Sequence, residues 1–165
     1  MFRRTFLAGL TAIALFACTA LTASAQTVAP AQPGSGKLTA ERAAELLKSK
    51  VQSAPDGSKT VAANITYDGK SYEVIVVFLP DGKVFDLYTP VTGANPKLSN
   101  TQIQGLQKVN EQLKAEQKAF VLNNQDNRLW FANINFRTDV SEQVFMQELG
   151  NHCRVLRDTH DLYKQ

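Results

Sequence analysis

The side chains best suited to chemistry are two histidines and one cysteine: His152, Cys153 and His160. Their spacing limits what they could do. The histidines lie eight residues apart, whereas two histidines that share a metal on one helix sit about four apart, as in H-E-x-x-H. Asp158, His160 and Asp161 make only a loose cluster near the C-terminus, as a solvated helix end does, so no metal site is expected. His152 reads as a core-edge histidine with a hydrogen-bond partner, and Cys153 as a small buried hydrophobe. A serine hydrolase needs a nucleophile, a base and an orienting group held together. Gly-x-Ser-x-Gly is absent, and Gly34-Ser35-Gly36 lies in a linker rather than at a strand-to-helix elbow. There is no Walker-type phosphate loop, and no cofactor is expected. The enzyme alternative that the sequence leaves is an exported enzyme with a site assembled around His152 from distant residues.

The elements that position these residues lie within 119–163. Residues 129–136 alternate, with Trp130, Ala132, Ile134 and Phe136 on one side, which is the period of a half-buried strand. Asn123-Asn124-Gln125-Asp126-Asn127 is turn chemistry, and Phe120-Val121-Leu122 is the partner strand. Phe145, Leu149, His152, Cys153, Leu156 and Tyr163 then fall on one helical stripe. A strand with one apolar face and a helix with one apolar stripe can bury the two together, so the Trp130 side is expected to face the helix.

Upstream, Thr39 is a good N-cap for a helix over 40–53, which Pro55-Asp56-Gly57 would end. Strands at 60–67 and 70–79 meet through Asp68-Gly69, a strong hairpin signal. That turn sets the register: Ile65 opposite Tyr72, Ala63 opposite Val74, Val61 opposite Val76, all on the core side. A third strand over 83–88 follows Pro80-Asp81-Gly82. After a loop around Pro90 and Pro96, Ser99 and Gln102 make a capping box, with Leu98 and Ile103 placed as a hydrophobic staple. Ile103, Leu106, Val109 and Leu113 are its expected buried stripe. Asp139 with Glu142 offers a second box before the final helix. The expected fold is α+β: an antiparallel sheet of five strands with helices packed on one face, in the order α-β-β-β-α-β-β-α.

Of the 165 residues, 44% are hydrophobic and 20% charged, which fits one globular domain. The net charge of +3 owes two units to Arg3 and Arg4. Those arginines open a secretory signal peptide over 1–25, with an apolar stretch over 7–17 and an Ala23-Ser24-Ala25 cleavage site. The apolar run falls short of the ~20 residues of a membrane span, so no membrane association is expected after cleavage. Arg3-Arg4-Thr5-Phe6-Leu7 resembles the twin-arginine motif, and the choice between that route and ordinary secretion stays open. Leu15-Phe16-Ala17-Cys18 resembles a lipoprotein box, but cleavage after Ala25 discards Cys18. Export to a bacterial periplasm is the expectation. Residues 26–37, with Pro30, Pro33 and three glycine or serine positions between 34 and 36, read as a flexible linker, leaving 38–165 as one domain. No basic patch interleaved with aromatics points to nucleic acid.

The order of elements resembles the YbjN-type, type III secretion chaperone-like fold. The resemblance is sharpest in Leu106-Gln107-Lys108-Val109-Asn110-Glu111-Gln112-Leu113, similar to that family's asparagine-bearing helix. It continues through Phe120-Val121-Leu122, residues 129–136 and the closing helix. It implies a dimer or a protein that binds extended client segments, with no catalytic residues to carry over. The export signal departs from type III chaperones, which work in the cytoplasm.

One further feature bears on function. Ile75, Val77, Leu79, Leu129 and Phe131 are expected on the sheet face that the helices leave uncovered. A contiguous apolar patch of that kind marks a partner site or a dimer interface. The sequence therefore points to a non-enzymatic periplasmic binding or chaperone-like protein that takes a protein or peptide partner, or a second copy of itself, on that face.

Overall fold

The computed structural model describes residues 26–27 and 37–164. The expected signal peptide and most of the expected linker lie outside the described residues. The elements are β1 (Gln26–Thr27), α1 (Ala40–Leu46), β2 (Val51–Ser53), β3 (Lys59–Tyr67), β4 (Lys70–Phe78), β5 (Val84–Pro90), α2 (Asn100–Leu113), β6 (Lys118–Asn123), β7 (Arg128–Arg137) and α3 (Glu142–Asp158). Six strands stand in line as β1-β3-β4-β5-β7-β6, and β2 pairs with β3 off that line.

The α+β class and the antiparallel core of the sheet are as expected, but the count of five strands and the simple order are not. β1 and β2 are additional, and β1 pairs parallel to β3 through Gln26↔Ile65 and Thr27↔Thr66. The sequence predicts that α1 runs on to residue 53. The chain instead leaves the helix at Lys48, whose φ is 48°. There the Lys48 N–H donates to the Glu45 carbonyl at 3.1 Å and the Ser49 N–H to the Ala44 carbonyl at 2.8 Å. This is a Schellman termination with lysine in the left-handed position usually given to glycine. Val51 can then pair opposite Val61, and a β-branched residue fits that pleat better than a last helical turn.

The β3–β4 hairpin forms in the expected register, with Ile65↔Tyr72, Ala63↔Val74 and Val61↔Val76. Asp68 and Gly69 both have positive φ, 50° and 72°, the backbone of the tight turn that matches strand twist. Ser99 and Gln102 form the capping box of α2. The second box does not form. Ser141 caps α3, accepting from the Val144 N–H at 3.3 Å, while Asp139 pairs with Arg137 at 2.7 Å. Glu142 instead takes both Arg42 contacts, at 2.6 and 3.0 Å, tying α1 to the start of α3.

All three described helices pack on one face. Their buried side chains, Ala43 and Ala44, Leu106, and Phe145, Leu149, Cys153 and Leu156, join Val61, Ile65, Val74, Val76, Phe78, Phe85, Leu87, Phe120 and Phe131 in one core. The expected stripe of α3 is thus the buried one. Tyr163 belongs to it too, past a 3-10 turn at His160–Leu162, with its hydroxyl donating to the Leu156 carbonyl at 2.6 Å. The stripe of α2 is thinner than expected: Leu106 is buried, whereas Ile103 is 42% exposed.

Candidate functional site

The face assignment of β7 decides where a site can be, and it is the reverse of the sequence expectation. Leu129 and Phe131 lie in the helix-side core. Trp130 and Ala132 lie in a separate cluster with Ile75, Val77 and Tyr88, with Ile134 packed beside it. The cause is a β-bulge. Phe85 pairs with Phe136 but Leu87 pairs with Asn133, so β7 spends three residues where β5 spends two. Asn135 takes up the extra residue at φ 65°. Alternation restarts beyond it, and Phe136 lands on the helix side, stacked on Phe85 at 5.1 Å. Of the expected partner-binding set, the structure therefore brings together only Ile75 and Val77. Leu129 and Phe131 are core residues, and Leu79 lies half-buried in the turn after β4.

The second cluster has chemistry of its own. Asp86 is 8% exposed among these apolar neighbours. Its carboxylate accepts from the Tyr88 hydroxyl at 3.0 Å and from the Asn135 N–H of the bulge at 2.8 Å. Burial raises the Asp86 carboxyl above its ordinary value, against the pull of those two donors. The Trp130 indole N–H donates to the Asp126 carboxylate at 3.0 Å. Asp86 does not stand out in the sequence, because Val84-Phe85-Asp86-Leu87-Tyr88 reads as an apolar run. Its period puts Asp86 and Tyr88 on one face, which is the signal that could have found the pair.

The groups weighed for catalysis sit elsewhere and are sealed. His152 has no exposed surface. Its Nε2 lies 3.0 Å from the Thr89 hydroxyl, and its ring rests 4.6 Å from that of Phe131. Desolvation, with the nearby Lys118 charge adding to it, holds the imidazole down at about 3, so it is neutral at ordinary pH. Cys153 is also fully buried, and desolvation pushes its thiol up to about 12, which leaves no thiolate for nucleophilic attack. His160 Nδ1 lies 3.9 Å from the Asp161 carboxylate, but these two and Asp158 do not join in one cluster. Asp158 pairs with Arg157 and Asp161 with Lys164. No group of three or more His, Cys, Asp or Glu side chains among the described residues is placed to hold a metal ion. No helix among them is long and apolar enough to cross a membrane.

Compared with protein-family models, with curated proteins and with solved structures, the chain matches none.

Proposed function

We propose that this chain is an exported, non-enzymatic binding protein of chaperone-like character, which takes an extended protein or peptide segment on the second face of its sheet. The observation that carries this reading is the second apolar layer. Ile75, Val77, Tyr88, Trp130 and Ala132 form one cluster, and none of the three described helices contributes to it. These side chains are between 1% and 8% exposed within the chain itself, so a segment that docks here must first displace what covers them, and its own apolar side chains then replace that cover. Its centre is apolar and aromatic and carries one buried carboxylate, Asp86, a composition that suits recognition of an apolar segment. The resemblance to YbjN-type and secretion chaperone-like proteins, read from residues 106–113 and the strands after them, points the same way. The enzyme alternative loses its central residue, because His152 is buried under Phe131 and meets no substrate from there.

The test follows binding of unfolded apolar peptides by light scattering and by Trp130 fluorescence, using the chain that begins after Ala25. A complex, or a dimer, that weakens when Val77 is replaced by Asp supports the reading. A strict monomer that ignores such peptides overturns it.

A further inference from the structure

The second cluster is sealed, yet no described element outside the sheet seals it. Val77 is 1% exposed and Tyr88 2%. A sheet face that meets water cannot hide a valine and a tyrosine to that degree, because each side chain stands up from the pleat with its upper side open. Atoms of this chain therefore lie over them. The helices do not, since their buried side chains join the other core. The loop after β5 does not, since Val91 and Leu98 pack against that same core. Among the described residues, Ile134 is the apolar side chain packed beside the cluster, and it belongs to β7 itself. Tyr88, at the centre, is engaged beyond its bond to Asp86.

The seal is local. On the same face, Ser71 and Glu73 of β4 are exposed, and so is Ala62, opposite Ile75. The cover is thus a short segment over β4, β5 and β7, not a second layer across the sheet. Those three strands lie within about 10 Å of one another.

An apolar run of that size stands upstream. Residues 7–17 carry no charge and include Leu7, Leu10, Ile13, Leu15 and Phe16. Residues 28–36 offer Val28 alone among alanine, proline, glycine and polar residues, too little for the task. Where the run can reach is set by β1. Gln26 pairs with Ile65 at the edge of β3, and eight residues separate it from Ala17. Extended, they span about 27 Å. β7 is four strand spacings from β1, or about 19 Å. We infer that residues 7–17 of the uncleaved chain lie on the second face and are its cover. Both the run and the cluster leave water in that contact. Cleavage after Ala25 then bares the face, so the leader holds it shut until removal, a step that rests on the binding role proposed above.

The experiment uses the purified full chain. Trp130 emission is compared between the wild type and the double variant Leu10→Asp, Ile13→Asp. Far-ultraviolet circular dichroism checks folding, and light scattering gives the mass. The double variant should stay folded and shift its emission to the red, whereas Thr22→Asp, outside the run, should leave it unchanged. Phe16→benzoylphenylalanine should photo-crosslink to residues 70–90 or 128–137 of the same chain, and it decides the matter where the aspartates unfold the protein. A folded double variant with unshifted emission, crosslinks confined to the helices, or a blue-shifted Trp130 seen only at the mass of a dimer overturns the inference. An apolar peptide that binds the double variant and not the wild type supports the leader as the switch. A bared face that binds no peptide overturns the binding role alone and leaves the cover standing.

Discussion

His152 and Thr89 share a hydrogen bond of 3.0 Å inside the helix-side core, and that bond holds α3 against the middle strand of the sheet. Thr89 lies on β5, opposite Phe131 of β7, and the imidazole rests on the Phe131 ring. The histidine works as a neutral packing group with one polar tip.

That environment makes stability depend on pH. In the unfolded chain an imidazole takes up a proton near 6.5, whereas folded His152 resists protonation down to about 3. The unfolded state binds more protons in this window, so stability is full above 6.5 and falls as pH drops toward 3. The loss between about pH 7.5 and 5 should be roughly 2 kcal/mol, in a range where ordinary carboxylates stay ionised. Urea unfolding at the two pH values measures it. His152→Gln should flatten the difference, and an unchanged pH dependence in that variant would place its origin elsewhere.

A second buried titratable group, Asp86, acts with the opposite sign and holds the bulge. Asp86 accepts the Asn135 N–H at 2.8 Å, and Asn135 is the left-handed residue that reverses the faces of β7. Asp86→Ala leaves that N–H without its acceptor and should cost about 1–3 kcal/mol. Asp86→Asn keeps an acceptor and removes a carboxyl whose buried charge is disfavoured, so it should cost less. Because the Asp86 carboxyl is raised, the folded state binds its proton more tightly. Its charge therefore opposes folding as pH rises above 3.8, and Asp86→Asn should remove that opposition. Equal losses for the alanine and asparagine variants in chemical denaturation would count against this account.

What the sequence made legible follows from how local each determinant is. The β3–β4 register rests on the two residues Asp68 and Gly69, and the α2 start on Ser99 and Gln102, so neighbouring residue types specify both. The faces of β7 depend on a pairing with β5, whose residues lie about fifty positions away. Period-two counting carries Trp130 through to Phe136 as though no residue were added. The one local clue is Asn135, a residue type that tolerates the left-handed backbone. The C-terminus of α1 is illegible for a similar reason: lysine at position 48 gives no stop signal, and the termination is imposed by β2 pairing with β3. The candidate face inherited the first of these errors in Leu129 and Phe131 and escaped it in Ile75 and Val77, whose strand is set by the hairpin.

Lys48 offers a gain rather than a loss. It is exposed and sits at φ 48°, a conformation that costs a residue with a Cβ roughly 1–2 kcal/mol. Lys48→Gly removes that strain, while the added freedom of glycine in the unfolded chain offsets part of the benefit. The expected net effect is a stabilisation of about 0.5–1 kcal/mol. Lys48→Ala retains the strain and should change stability little. Thermal midpoints of the two variants make the comparison, and a glycine variant no more stable than the alanine variant would contradict the assigned backbone.

Trp130 tests the second face directly. It is 4% exposed, packs with Ile75, Val77, Tyr88 and Ala132, and donates its indole N–H to Asp126 at 3.0 Å. It is the single tryptophan of the chain, so intrinsic fluorescence reports this face alone. Emission should be blue-shifted in the folded protein and move to the red on denaturation. Trp130→Ala removes a large aromatic from a sealed layer and should cost about 3–5 kcal/mol. Trp130→Phe keeps most of the packing and loses the bond to Asp126, for about 1 kcal/mol beyond the change in volume. The helix-side core does not contain Trp130, so near-ultraviolet signals from Phe85, Phe131 and Tyr163 should persist in Trp130→Phe. Folded wild-type protein that emits at the wavelength of solvent-exposed tryptophan would show that Trp130 is not packed in the second cluster as assigned.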